Sequence, residues 1–189
     1  MELSMKQTSF LPKIDRLSFR EFGGDLRKGK RKIARPFSQK LPLHVVFRSS
    51  HAKGDCSLLK LAHRKFIEAA IDRYARLYHI RIYRLQNVGN HLHVLLKTRT
   101  KSRDLARLEL ANFLRRFSGE VAMRITKAKK GSRFGRFWDE LVYSRIVTWG
   151  REFNIIKSYF IKNLFEAHGV WNRKKFPTWR LMTIAADTS

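Results

Sequence analysis

Two runs of alternating residues, His79–Leu85 and His91–Lys97, flank the turn Asn87-Val88-Gly89-Asn90. A period of two marks half-buried strands, and a turn this short lets two such strands pair only as an antiparallel hairpin. Helical periodicities bracket the hairpin. Before it, Leu58, Leu61, Phe66, Ile67, Ala70, Ile71, Tyr74 and Leu77 recur at helical spacing, which predicts a helix over about 57–78 capped by Asp55 or Ser57. After it, Ser102 caps a helix carrying Leu105, Leu108, Ala111, Phe113, Leu114 and Phe117 on one face.

A β-branched, apolar run behind Pro42 predicts a first strand at 43–49, and residues 137–147 read as another extended segment. The order is β-α-β-β-α-β. That order is the split-βαβ, ferredoxin-like arrangement of the α+β class, an antiparallel sheet with two helices on one face. A last helix follows over about 150–167, through Phe153, Ile156, Phe160 and Leu164. Residues 1–40 have no sustained period and read as a basic, flexible N-terminal arm, able to serve as a cationic strap on a phosphate backbone. The domain then spans 41–170, with a C-terminal tail at 171–189.

Charge narrows the function. Lys and Arg number 41 against 15 Asp and Glu, a formal net charge of +26, so most cations have no carboxylate to pair with. At 43% hydrophobic residues the chain can still bury a core, which separates it from a disordered basic tail. Such an excess disfavours a compact state unless an anionic partner screens it. Nucleic acid is the first candidate and an anionic membrane surface the second. No run of about 18 apolar residues predicts a membrane span, and the N-terminus lacks the apolar core of a signal peptide. The lone Cys56 excludes an internal disulfide and a cysteine-built zinc site. A reducing, cytoplasmic location is expected.

Two groups of residues can carry chemistry. His91 and His93, two apart on a strand, point to the same face, and two neutral imidazoles on one face suit a divalent metal once a third ligand joins them. On the last helix Tyr159 and Asn163 are four apart and share a face, where Asn163 can offer an amide oxygen to a metal. His44, on the first strand, can face the same sheet surface. His63 and His79 read as surface residues.

Taken together, the segments LPLHVVFRSS, Asn90-His91-Leu92-His93-Val94-Leu95-Leu96, RFGRFWDELVYSRIV and Tyr159-Phe160-Ile161-Lys162-Asn163 resemble the HUH endonuclease superfamily. Within it they are most similar to the single-tyrosine transposases of the REP-associated (RAYT) branch, over roughly residues 41–170. The resemblance implies a metal-dependent single-stranded DNA endonuclease and strand transferase acting on single-stranded or hairpin DNA. It implies His91 and His93 as ligands of Mg²⁺ or Mn²⁺, Asn163 as a polar third ligand, and Tyr159 as the nucleophile that forms a 5′-phosphotyrosine. A phenol of pKa about 10 needs a nearby cation to lower it, and Lys162 or the metal can supply one. Tyr143 is the alternative nucleophile, with a packing role favoured by its neighbours Trp138 and Leu141.

Two departures from the pattern stand out. Leu164 and Gly89-Asn90 occupy places where relatives often carry Pro. The Tyr159-x-x-Lys162 spacing also resembles replication-initiator HUH proteins. The single-tyrosine relatives work as monomers or as homodimers that exchange the helix, and a bacterial, nucleoid-associated setting goes with the family.

Cations concentrate around the second helix and its following loop: Arg103, Arg107, Arg115, Arg116, Arg124, Lys127, Lys129, Lys130, Arg133 and Arg136. They are candidates for phosphate contacts, with Phe134, Phe137 and Trp138 as candidates for base stacking. The competing expectation is a non-catalytic ferredoxin-like module that binds RNA or DNA on its sheet face and basic rim.

Overall fold

The computed structural model describes residues 20–27, 33–129, 131–132 and 134–167; the first 19 residues of the arm, the 171–189 tail, Lys130 and Arg133 lie outside them. The elements are β1 (Glu21–Phe22), β2 (Leu43–Arg48), α1 (Leu61–Leu77), β3 (Ile80–Asn87), β4 (His91–Thr98), α2 (Arg103–Thr126), β5 (Tyr143–Ile146) and α3 (Arg151–Ala167). The strands form one sheet in the order β1-β5-β2-β4-β3. Every pairing is antiparallel. The inner order β5-β2-β4-β3 is the split-βαβ arrangement expected from the sequence, with β1 added at one edge.

Alternation on the strands decides the two faces. Leu43, Val45 and Phe47 of β2 and Leu92, Val94 and Leu96 of β4 point to one side and are at most 1% exposed. Helices α1 and α2 cover that side. Ile67, Ala70, Ile71 and Ala75 form the buried stripe of α1. Phe113, Leu114, Phe117, Val121 and Ile125 belong to that of α2. Phe47, Phe113 and Phe117 are fully enclosed and stack or meet edge to face; each such side chain contributes roughly 2–3 kcal/mol by leaving water. Ser102 accepts from the Leu105 amide at the start of α2, and Lys127 ends the helix at a left-handed φ of 55°.

The bounds of two elements depart from the sequence expectation. Helix α1 begins at Leu61, because Gly54–Cys56 makes a turn of 3-10 helix and Leu58 plunges into the core at 0% exposure. Neither Asp55 nor Ser57 caps it: Asp55 pairs with Lys60, and the Ser57 hydroxyl accepts from the Leu59 amide at 3.3 Å. Of the extended segment at 137–147 only Tyr143–Ile146 pairs as a strand, while Phe137 and Trp138 turn into the core.

Part of the stretch read as an arm also joins the sheet. Glu21 and Phe22 pair with Arg145 and Ser144, and Arg35 donates to the Val142 carbonyl at 2.8 Å and to the Ser144 hydroxyl. The register of β3 against β4 shifts between Ile82 and Arg84. This bulge turns Tyr83 toward α3 while Ile82 and Leu85 stay with the main core.

Candidate functional site

The sheet face opposite α1 and α2 carries His44 from β2 and His91, His93, Leu95 and Lys97 from β4. Helix α3 lies on this face. Its Ile156 and Phe160, at 1% and 0% exposure, bury against Leu95 and Val147, with Tyr83, Phe153 and Tyr159 packed around them. The same helical face that seals this small core delivers the polar residues. Phe160 sits 5.2 Å from the His44 ring and 5.4 Å from the His93 ring, centroid to centroid. One position before it, Tyr159 meets the His93 ring edge-on at 5.5 Å. Three positions after it, Asn163 is 7% exposed and places its amide nitrogen 3.3 Å from His93 Nε2.

The start of α3 is tied down by charge. Glu152 accepts from the Thr148 amide at 2.7 Å and the Thr148 hydroxyl at 2.6 Å, and it pairs with Arg145, which is 5% exposed on β5. Burial alone would push the Glu152 carboxyl up; the Thr148 hydrogen bonds and the Arg145 charge outweigh it and hold the group below its ordinary value. The helix that carries Tyr159 is therefore fixed to the sheet at both its apolar face and its N-terminus.

Hydrogen bonds define the state of the imidazoles. The Asn163 amide donates to His93 Nε2, so that nitrogen bears a lone pair and the proton sits on Nδ1. His93 Nδ1 then donates to His44 Nε2, 3.0 Å away. His91 Nδ1 lies 2.6 Å from the Asn90 side-chain oxygen, an acceptor, so its lone pair is likewise on Nε2. Burial drives the three pKa values down. His44 falls to about 3, helped by the charge of Arg145 and by His91. His91 falls to about 4, helped by Arg48. His93 lies well below the usual histidine value, helped by His44 and His91. All three are neutral at pH 7, the form that binds a metal.

The donor set fits a divalent cation with two imidazole nitrogens and an amide oxygen. Among the described residues no three His, Cys, Asp or Glu side chains are arranged to hold a metal ion; the group of another type beside the imidazoles is Asn163, whose amide lies 3.3 Å from His93 Nε2. His44 Nε2 is engaged with His93 Nδ1 at 3.0 Å. Lys162 is half-buried on α3, three residues past Tyr159. Tyr143 lies on β5, where burial and then Glu21 push its phenol up, away from the ionisation a nucleophile requires.

The candidate phosphate contacts divide by face. Arg103, Arg107, Arg115 and Arg116 sit on α2, so the sheet stands between them and the imidazoles. Lys127 and Lys129 are exposed beyond the end of α2. Arg136 pairs with Glu140 at 2.9 Å. Of the aromatics, Phe137 is buried at 4% exposure and the Trp138 indole N–H is held by the Ser118 carbonyl at 2.9 Å, leaving Phe134, 43% exposed, as the accessible ring. The Glu152–Arg145 anchor was not visible in the sequence, because nothing local marks those two charges as partners.

Comparison with solved structures places this architecture. The fold is similar to that of a REP-associated tyrosine transposase bound to a REP hairpin, at 12% identity and a TM-score of 0.53, over 78% of this chain and 81% of that one. A Deinococcus radiodurans protein provisionally assigned as a transposase aligns over 71% of this chain and 98% of its own, at 16% identity and a TM-score of 0.41, too remote to define a common fold. No protein-family model and no curated protein matches the sequence. The chain thus has a transposase-like fold, a five-stranded antiparallel sheet with three helices. Among the described residues no helix is long and apolar enough to cross a membrane.

Proposed function

We propose that this protein is a metal-dependent single-stranded DNA endonuclease and strand transferase, with hairpin-bearing DNA as substrate. The observation that supports the reading best is the meeting of Tyr159 and Asn163 of α3 with His93 of β4 within one chain. The bound Mg²⁺ or Mn²⁺ would supply Lewis-acid stabilisation of the non-bridging phosphate oxygens. His91 and His93 would hold it through their Nε2 lone pairs, and rotation of the Asn163 amide would exchange its NH₂ for its carbonyl oxygen.

Tyr159 is the nucleophile in this reading. Its oxygen bonds to phosphorus as the phosphorus–O3′ bond breaks. The phenolic proton leaves, the departing 3′-oxygen gains a proton, and the DNA 5′ end stays attached as a phosphotyrosine. Attack by another 3′-hydroxyl reverses the step and rejoins strands without ATP. Lys162, the next cation along α3, is assigned the stabilisation of the phenolate. Because one chain brings the phenol and the imidazoles together, the reading requires no exchange of helices between copies.

The test is covalent trapping. Protein, Mn²⁺ and labelled hairpin-flanked single-stranded DNA should yield a denaturation-resistant adduct. Tyr159→Phe should abolish the adduct and keep DNA binding, and His91→Ala should lose cleavage while keeping affinity. An adduct that persists in Tyr159→Phe overturns the nucleophile assignment.

A further inference from the structure

The hairpin β3–β4 ends in a second feature of the same sheet face. A groove of about 480 Å³ lies at the far end of β4, lined among others by Lys40, Arg81, Tyr83, Lys97, Arg99 and Lys101. None of these five cations makes an ion pair with a carboxylate among the described residues. They come from three separate segments: the approach to β2, the start of β3, and the end of β4 with the loop beyond it. Arg81 and Lys97 are cross-strand partners, and like charges placed opposite each other cost stability. A fold that gathers them is relieved by an anion.

The walls are held in place. Gln39 donates to the carbonyls of Thr100 and Lys101, and the Trp149 indole N–H donates to the Lys40 carbonyl at 3.0 Å. Thr100 in turn donates its hydroxyl to Glu109, which is only 9% exposed and also holds His79, so this carboxylate is committed elsewhere. Aromatic faces lie beside the cations. The Arg81 guanidinium sits 5.0 Å over the Tyr83 ring, and the Lys97 ammonium 5.7 Å from the Trp149 ring, which is 44% exposed. Charge for phosphates alternating with rings for bases is the chemistry of a single-strand track.

We propose that this groove binds the phosphodiester backbone of a single nucleic-acid strand and leads it toward the imidazole site. The inference rests on the function proposed above for its direction. Lys97 is six residues from His91 on one strand, so the two ends of the track are roughly 20 Å apart, a distance a few nucleotides span. The strand would pass alongside α3, which begins at Arg151 just after Trp149 beside the groove and carries Asn163 to His93. None of the cations of α2 takes part.

The experiment measures binding of a fluorescent oligothymidylate by the full chain over a range of salt concentrations. Replacing Lys97 and Lys101 by Gln should lower affinity at least about tenfold and reduce the salt slope by about 0.7 for each phosphate no longer neutralised. Arg81→Gln, scored separately, guards against misfolding of the double variant. Lys65→Gln with Arg76→Gln, an equal loss of charge on α1, should leave both quantities near wild type. Unchanged affinity in the groove variants, or an equal loss in the α1 variant, overturns the groove. So does a groove variant that loses binding to phosphatidylserine vesicles while keeping the oligonucleotide. The covalent adduct reports on the chemistry separately. Groove-dependent binding without any adduct keeps the track and removes the nuclease. An adduct with groove-independent binding does the reverse.

Discussion

His44 Nε2 and His93 Nδ1 face each other at 3.0 Å across neighbouring strands, with their rings stacked at 5.3 Å between centroids and 22° between planes. Both side chains are buried, at 6% and 3% exposure. His44 thereby engages the Nδ1 side of His93, while the Asn163 amide faces its Nε2. Outer hydrogen bonds of this kind typically change metal affinity by about 10–100-fold. His44→Phe preserves ring volume and removes the acceptor, so Mn²⁺ affinity measured by calorimetry should fall within that range. ¹⁵N shifts of His93 should show its proton redistributed between the two ring nitrogens. Wild-type metal affinity with an unaltered tautomer would remove His44 from the site.

Phe160 joins the stability of α3 to the geometry of the site. It is 0% exposed, touches both buried imidazoles, and occupies the centre of the cluster with Leu95, Val147 and Ile156. Phe160→Ala should cost about 3–5 kcal/mol in chemical denaturation. Because the helix docks through this ring, hydrogen exchange should accelerate along α3 well before it does in β4. Equal acceleration in both elements would mean that α3 is not a separately docked unit.

The imidazole pair is readable from the sequence because the code is local. His91 and His93 alternate with Leu92 and Val94, both 0% exposed, so a period of two on a strand with one dry face leaves their direction no freedom. Tyr159 and Asn163 are readable for the analogous reason at helical spacing. What escapes has no local code. Strand β1 is two residues long and is held by Arg35 and by a glycine turn rather than by its own pattern. Arg145 and Glu152 become partners only when β5 meets the start of α3. The cationic groove draws on three stretches that the sheet brings to one edge, so no charge run announces it. The start of α1 falls later than its periodicity predicts because Leu58 satisfies a helical spacing while belonging to the loop that plugs the core.

Acid should weaken the hold on α3 through Glu152. Its folded pKa lies below the ordinary 4.5. The carboxylate therefore contributes its full stability above that value and loses it as the pH falls through the folded pKa. Glu152→Gln keeps the shape and removes the charge that Arg145 and Thr148 engage, which should cost about 2 kcal/mol at neutral pH. The gap between wild type and variant, followed by urea denaturation at descending pH, should shrink below 4.5. A gap that stays constant into acid would assign the effect to packing instead of charge.

Gly23 tests whether β1 is an integral strand or a loose end. At φ +88° it turns so close to β5 that an added Cβ would stand 2.2 Å from the Val142 carbonyl oxygen. Its neighbour Gly24 also has a left-handed φ, +53°, but there a Cβ would have its nearest contact at 3.8 Å. The two positions thus share a conformational cost of about 1–2 kcal/mol and differ in the clash. Gly23→Ala should release β1 from the sheet edge, and Gly24→Ala should only strain it. The Ile146 amide reports the difference, because it donates to the Arg20 carbonyl at 3.0 Å, whereas the next amide, Val147, donates to Pro42 at 2.9 Å on the other side. Hydrogen exchange in Gly23→Ala should speed up at Ile146 and leave Val147 protected, a contrast that a general loss of stability would not produce.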